Sequence, residues 1–116
     1  MAFEGSCHCG AVTYSVEGDI PTTAMSCNCT HCRRKGFLLA FVPLDRFRLE
    51  TGAEKLNSYQ FHKHNIDHQF CIECGCQGFA VGTGLAGEKM AAVNLRCVPD
   101  ADLDALTIQK VDGASF

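Results

Sequence analysis

Apolar and polar residues along the chain change places with a period close to two, in short runs. From Ala11 to Glu17, Val12, Tyr14 and Val16 fall on one face and Thr13 and Ser15 on the other, the pattern of a half-buried strand. Thr22 to Ser26 reads as a second strand running into a cysteine group. Phe37 to Val42 is continuously apolar and short, which predicts a buried strand that Pro43 ends. Phe47 to Leu49 and Leu56 to Phe61 flank Thr51-Gly52, as in a hairpin or a loop pair. His68 to Phe70, Phe79 to Val81, Ala91 to Leu95 and Leu106 to Val111 complete the expected strands. The helical candidates are single turns around Cys29 to Lys35 and around Asp100 to Ala105, neither long enough for a sustained amphipathic face. The expected class is mainly β with short helical turns.

Composition narrows the function classes. At 116 residues, with 47% hydrophobic and 20% charged residues, the chain is expected to fold as a single domain over residues 1–116. Ten basic against thirteen acidic residues leave a net charge of -3. That argues against nucleic acid and anionic membranes as partners, both of which need a positive footprint. No apolar run approaches the ~20 residues of a membrane helix. The start, Met1-Ala2-Phe3-Glu4-Gly5, has no basic region followed by an apolar stretch, so a cytoplasmic location is expected.

Nine cysteines change the picture. The odd number and the tight grouping favour metal ligation over a disulfide framework. The groups are Cys7-His8-Cys9-Gly10, Cys27-Asn28-Cys29-Thr30-His31-Cys32 and Cys71-Ile72-Glu73-Cys74-Gly75-Cys76, with Cys97 apart. Two cysteines in a tight turn aim both sulfurs at one cation, and a following glycine permits positive φ. Two such turns from distant segments close a four-thiolate zinc site, worth ~10–16 kcal/mol in small zinc peptides. Spacing alone allows Cys7 and Cys9 to pair with Cys29 and Cys32 or with Cys71 and Cys74. The three thiols of the second group do not divide into pairs. They fit an open three-cysteine zinc site of the catalytic type, and equally one closed by Cys76.

Gly5-Ser6-Cys7-His8-Cys9-Gly10-Ala11-Val12, Cys27-Asn28-Cys29-Thr30-His31-Cys32-Arg33-Arg34 and Phe70-Cys71-Ile72-Glu73-Cys74-Gly75 together resemble the glutathione-dependent formaldehyde-activating enzyme (Gfa-like) family. The resemblance runs from Gly5 to about Val98. It implies the Mss4-like fold, a complex β-sandwich stapled by zinc. It implies a structural zinc on Cys7, Cys9, Cys71 and Cys74, and a catalytic zinc on Cys27, Cys29 and Cys32. The implied activity is of the carbon–sulfur lyase type, joining glutathione and formaldehyde to give S-(hydroxymethyl)glutathione. A small-molecule thiol and an aldehyde are then the expected partners. The competing expectation is a non-catalytic zinc module whose sites are structural or store metal. A zinc-ribbon-like nucleic-acid binder fits least, because the charge is negative and C-x-C pairs are not ribbon spacing.

The remaining candidates have plainer readings. Arg33, Arg34 and Lys35 could meet the carboxylates of glutathione, but balancing a tris-thiolate site or lying solvated is favoured over contact. His8 and His31 sit inside cysteine turns whose ligand count is already met, so they are expected to support the ligands or lie on the surface. His62, His64 and His68 are expected on a solvated strand rather than at a metal. Cys97 is expected to be a buried inert thiol, and Cys76 a buried residue, a spare ligand or a redox-sensitive thiol. Phe37, Phe41 and Phe61 are expected in the core.

Overall fold

A computed structural model describes residues 1–60, 66–83 and 87–112. Among these residues the strands are β1 (Ala2–Ser6), β2 (Thr13–Glu17), β3 (Thr23–Cys27), β4 (Leu39–Pro43), β5 (Phe47–Thr51), β6 (Leu56–Tyr59), β7 (Ile66–Cys71), β8 (Phe79–Thr83), β9 (Lys89–Asn94) and β10 (Thr107–Val111). One α-helix, α1, spans Thr30–Lys35. The mainly β class is therefore confirmed. The turn expected around Asp100 to Ala105 is a single 3-10 turn at Leu103–Ala105.

Two sheets carry the fold. The smaller has the order β1-β2-β5, and the larger the order β10-β3-β4-β9-β8-β7-β6. Neighbouring strands run antiparallel except β10, which lies parallel to β3. Phe3, Tyr14 and Val16 of the small sheet, with Val12 just before β2, meet Ala24, Ala40, Phe79 and Val93 of the large one in a single core. The alternation read in β2 thus decides which face turns inward. Tyr14 is 1% exposed. Its ring stacks on Phe47 at 5.2 Å and meets Phe79 edge-on at 5.8 Å. Its hydroxyl donates to the Gly78 carbonyl at 3.1 Å, which satisfies the polar atom of this buried side chain. Gly5 and Gly78 border this ring, and a Cβ on either would collide with it.

The opposite face of the large sheet carries Leu39, Ala80 and Ala92, which with Phe37 just before β4 form a second apolar cluster that Cys32 of α1 touches. This face explains one departure from expectation. Phe41 pairs with Ala92 on it, lies beyond that cluster and is 48% exposed rather than in the core. Phe37 is buried as expected. Another departure concerns Thr51-Gly52, which joins strands of different sheets and so makes a loop pair, not a hairpin. Gly52 sits at φ 91° against Ala11 and Val12. Phe61, His62 and His64 lie outside the described residues.

Candidate functional site

The seven cysteines singled out for metal form two separate clusters. Cys7, Cys9, Cys71 and Cys74 place their sulfurs within 4.8 Å of one another, and so do Cys27, Cys29 and Cys32. Of the two pairings that spacing allowed, the fold selects Cys7 and Cys9 with Cys71 and Cys74. Neither cluster includes Cys76.

The first cluster is built from two similar turns. Gly10 N–H donates to Cys7 C=O at 3.3 Å and Gly75 N–H to Cys71 C=O at 2.8 Å. Gly10 has φ 82° and Gly75 φ 79°, a conformation in which a Cβ would be strained. Each turn also aims an amide at its leading sulfur: Val12 N–H at Cys7 Sγ (3.4 Å) and Glu73 N–H at Cys71 Sγ (3.4 Å). Cys7 Sγ lies 3.6 Å from Cys9 Sγ, which lies 3.7 Å from Cys71 Sγ. Four sulfurs around a tetrahedral ion at a metal–sulfur distance of ~2.3 Å would be about 3.8 Å apart, so the donor set fits a zinc-sized cation.

The second cluster is local. Cys27 ends β3, Cys29 is the N-cap of α1 and Cys32 lies in the first turn. Cys29 Sγ accepts from Cys32 N–H at 3.3 Å, and Cys27 Sγ lies 3.5 Å from Cys29 N–H. The helix then stops at Gly36, which takes φ 71° and donates its N–H to Cys32 C=O. The three sulfurs are half-buried. Among the described residues no fourth cysteine, histidine or carboxylate joins them.

Ionisation within each cluster is uneven. Amides of Cys76 and Cys9 pull the Cys74 thiol down to about 6. Cys9 receives help from the Ala11 amide, yet Cys7 and the other neighbouring sulfurs push it up to about 12. In the second cluster burial opposes ionisation of Cys29, but the Cys32 amide and thiol overcome it and lower its pKa. Burial first, then the hydrogen bond and the charge of Cys29, raises Cys32. Each cluster thus holds thiols that are lowered, Cys7 and Cys74 in one and Cys29 in the other, beside one that is raised, Cys9 or Cys32, because a further negative charge would sit beside those already there. A divalent cation reverses that rise, since a coordinated thiol is deprotonated outright. The chemistry of the donors and their spacing agree.

Two grooves flank α1. One, of about 480 Å³, has Cys27 and Cys32 in its wall and is bordered by Arg33, Arg96, Lys110 and Asp112. The other, of about 520 Å³, is bordered by His31, Arg34, Lys35, Tyr59 and Phe70. The basic run Arg33-Arg34-Lys35 is thus split between opposite flanks. Arg96 and Lys110 were not visible as site residues in the sequence. They come from the 3-10 turn Leu95–Cys97 and from β10, and only the parallel pairing of β10 with β3 brings Lys110 beside Cys27.

His68 is not on a solvated strand face as expected. It is 4% exposed, because its row of β7 faces α1 across the sheet. Its ring lies 4.2 Å from that of His31, and Gln77 Nε2 is 3.0 Å from its Nδ1. Burial and the neighbouring His31 lower its pKa to about 4. His31 stacks on Tyr59 at 5.6 Å, supporting the Cys29–Cys32 turn rather than facing a metal with it. His8 is exposed. Cys97 is half-buried, receives Asn94 Nδ2 at 3.7 Å and donates to Gln77 C=O at 3.6 Å. Burial pushes its thiol up to about 11, as suits an inert side chain. Cys76 packs against the main core. No helix among the described residues is long and apolar enough to cross a membrane.

Comparison with known proteins agrees with this geometry. A Rhodobacter sphaeroides protein of known crystal structure superposes with a TM-score of 0.78 at 30% identity, covering 91% of this chain and 99% of that one. A curated Halomonas elongata protein, provisionally named a glutathione-dependent formaldehyde-activating enzyme, is 30% identical over 82 residues. That stretch is 64% of this chain and 52% of the relative, so the chain spans about half the length of the curated relative it matches. The family model described as "Glutathione-dependent formaldehyde-activating enzyme" matches residues 2–107, which include both cysteine clusters. The chain belongs to the glutathione-dependent formaldehyde-activating enzyme family.

Proposed function

We propose that the protein is a zinc-dependent carbon–sulfur lyase of the S-(hydroxymethyl)glutathione synthase type, acting as one zinc-stapled domain. Cys7, Cys9, Cys71 and Cys74 hold a structural zinc, and Cys27, Cys29 and Cys32 hold the catalytic one. The observation that carries the proposal is the second cluster itself. Three sulfurs converge without a fourth described protein ligand, in the wall of a groove large enough for a small molecule.

Zinc at this cluster would supply the positive charge that keeps an incoming thiol ionised at neutral pH, where a free thiol of pKa ~8.5 is mostly protonated. The chain's own contribution is geometric. Cys27 and Cys32 place the reacting sulfur at the groove, and the groove holds glutathione and formaldehyde side by side. The glutathione thiolate then attacks the carbonyl carbon. A carbon–sulfur bond forms, the carbonyl electron pair moves to oxygen, and that oxygen takes up a proton equivalent to the one the thiol released. Ionisation and proximity are the effects called upon, since formaldehyde is itself a strong electrophile.

Nine cysteines without a disulfide, seven of them set as metal ligands, suit a reducing compartment, which supports the cytoplasm as the location.

Exchange spectroscopy by NMR on glutathione and formaldehyde tests the reaction. The zinc-loaded protein should raise the exchange rate, and Cys29→Ser should remove the increase. No increase with the loaded protein would leave a non-catalytic zinc module as the better description.

A further inference from the structure

Three elements distant in sequence deliver a cation each to the groove beside Cys27 and Cys32. Arg33 follows Cys32 on α1, Arg96 stands in the turn after β9, and Lys110 lies on β10 opposite Ser26. Among the described residues none of the three has a carboxylate partner. Arg96 is also fixed in place. Its Nε donates to the Gly36 carbonyl at 2.7 Å, at the residue that ends α1, and among the described residues the two Nη groups of the guanidinium have no hydrogen-bond partner. One acid borders the same groove: Asp112, which accepts from Asn28 Nδ2 at 2.9 Å. Phe37 and Leu38 add an apolar wall.

Three uncompensated cations against one acid are unusual on a chain of net charge -3. Neutralising the thiolate cluster accounts for part of this, but it does not need a guanidinium anchored at a helix end with its fork free. A fork of that kind matches a carboxylate. We infer that Arg33, Arg96 and Lys110 are positioning residues that read the carboxylates of the thiol substrate, selecting a short thiol peptide with two carboxylates and one ammonium over neutral thiols. Arg96 sets the register, and Asp112 faces the ammonium. The inference rests on the proposed arrival of the substrate sulfur at Cys27, Cys29 and Cys32.

S-methylglutathione separates carboxylate reading from sulfur ligation, because its sulfur is a thioether. Its binding to the zinc-loaded protein can be followed by calorimetry, alongside its diethyl ester. Arg96→Gln, which keeps a donor for Gly36, and Lys110→Met should each weaken the acid by about ten-fold or more. The ester should bind the native protein more weakly and be indifferent to both substitutions. Arg48→Gln, on β5 of the other sheet, should change nothing. Zinc content and amide spectra should stay as in the native protein. The inference is overturned if the native protein does not bind S-methylglutathione, if acid and ester weaken alike, or if the variants lose zinc in step with affinity, which would mark the cations as charge balance only. Carboxylate-dependent binding without any acceleration of glutathione–formaldehyde exchange would uphold the groove and remove the proposed reaction instead.

Discussion

At the residue scale, small side chains and buried rings impose the tightest constraints. Gly52 combines φ 91° with backbone of Ala11 and Val12 against the place a Cβ would take. Gly52→Ala should therefore cost about 2–4 kcal/mol, from left-handed strain and overpacking together. Urea unfolding at fixed zinc would measure it, and a cost below ~0.5 kcal/mol would mean the loop relaxes freely. His68 makes a prediction about pH. Its folded-state pKa is lowered to about 4 from an ordinary 6.5, so the unfolded chain binds the proton more readily. The contribution to stability is complete above pH ~6.5 and is lost as pH falls toward 4, where the folded ring at last protonates. NMR titration of the ring should give a midpoint near 4. A midpoint near 6.5 would mean that the ring is hydrated, contrary to its burial under α1.

At the element scale, the two cysteine clusters differ in how they are made. The first is two turns brought together across the fold. The second is one strand end and one helix cap. Cys71→Ser should thus cost folding, seen as loss of amide dispersion, while Cys29→Ser should keep the native spectrum and remove the acceleration of glutathione–formaldehyde exchange that the proposed function requires. The reverse pattern would mean that the two roles are exchanged. This contrast was legible in the sequence as far as spacing reaches. A C-x-C-G and a C-x2-C-G motif specify turns locally, and β2 shows its inward face because Val12, Tyr14 and Val16 alternate with polar residues. Beyond local spacing the chain is silent. β1 was missed because Glu4 and Gly5 blur the alternation of Ala2–Ser6. Phe41 looked buried because its apolar run says nothing about where α1 stops covering the sheet. His68 looked solvated because its burial comes from His31, Phe37 and Gln77, which no local pattern around it could indicate. The basic groove needed the parallel pairing of β10 with β3, a long-range contact without a periodic signature.

On the scale of the whole molecule, the clusters should differ in what their ions do for the chain. An ion on Cys7, Cys9, Cys71 and Cys74 ties segments 62 residues apart, as the Cys9 to Cys71 contact shows. It also links the turn after β1 of the small sheet to the end of β7 of the large one. Closing so long a loop removes much more entropy from the unfolded chain than closing one between Cys27 and Cys32, where the intervening residues are already held by α1. The same comparison governs release. Sulfurs on one short segment beside an open groove can let an ion exchange without any strand separating, whereas the first ion leaves only as the two turns part. Zinc-loaded protein should accordingly bind two ions of unequal lability. Titration with a chelator should remove the ion on Cys27, Cys29 and Cys32 while the melting midpoint moves by a few degrees at most. Removal of the ion on the four-sulfur cluster should coincide with a loss of several kcal/mol, about 20 °C or more in the midpoint for a domain of this size. Metal analysis paired with thermal melts would follow both steps. Release of both ions in one unfolding transition would show that the three-sulfur ion is not the more labile one, and full removal of zinc without a change in midpoint would show that the four-sulfur cluster does not hold the two sheets together.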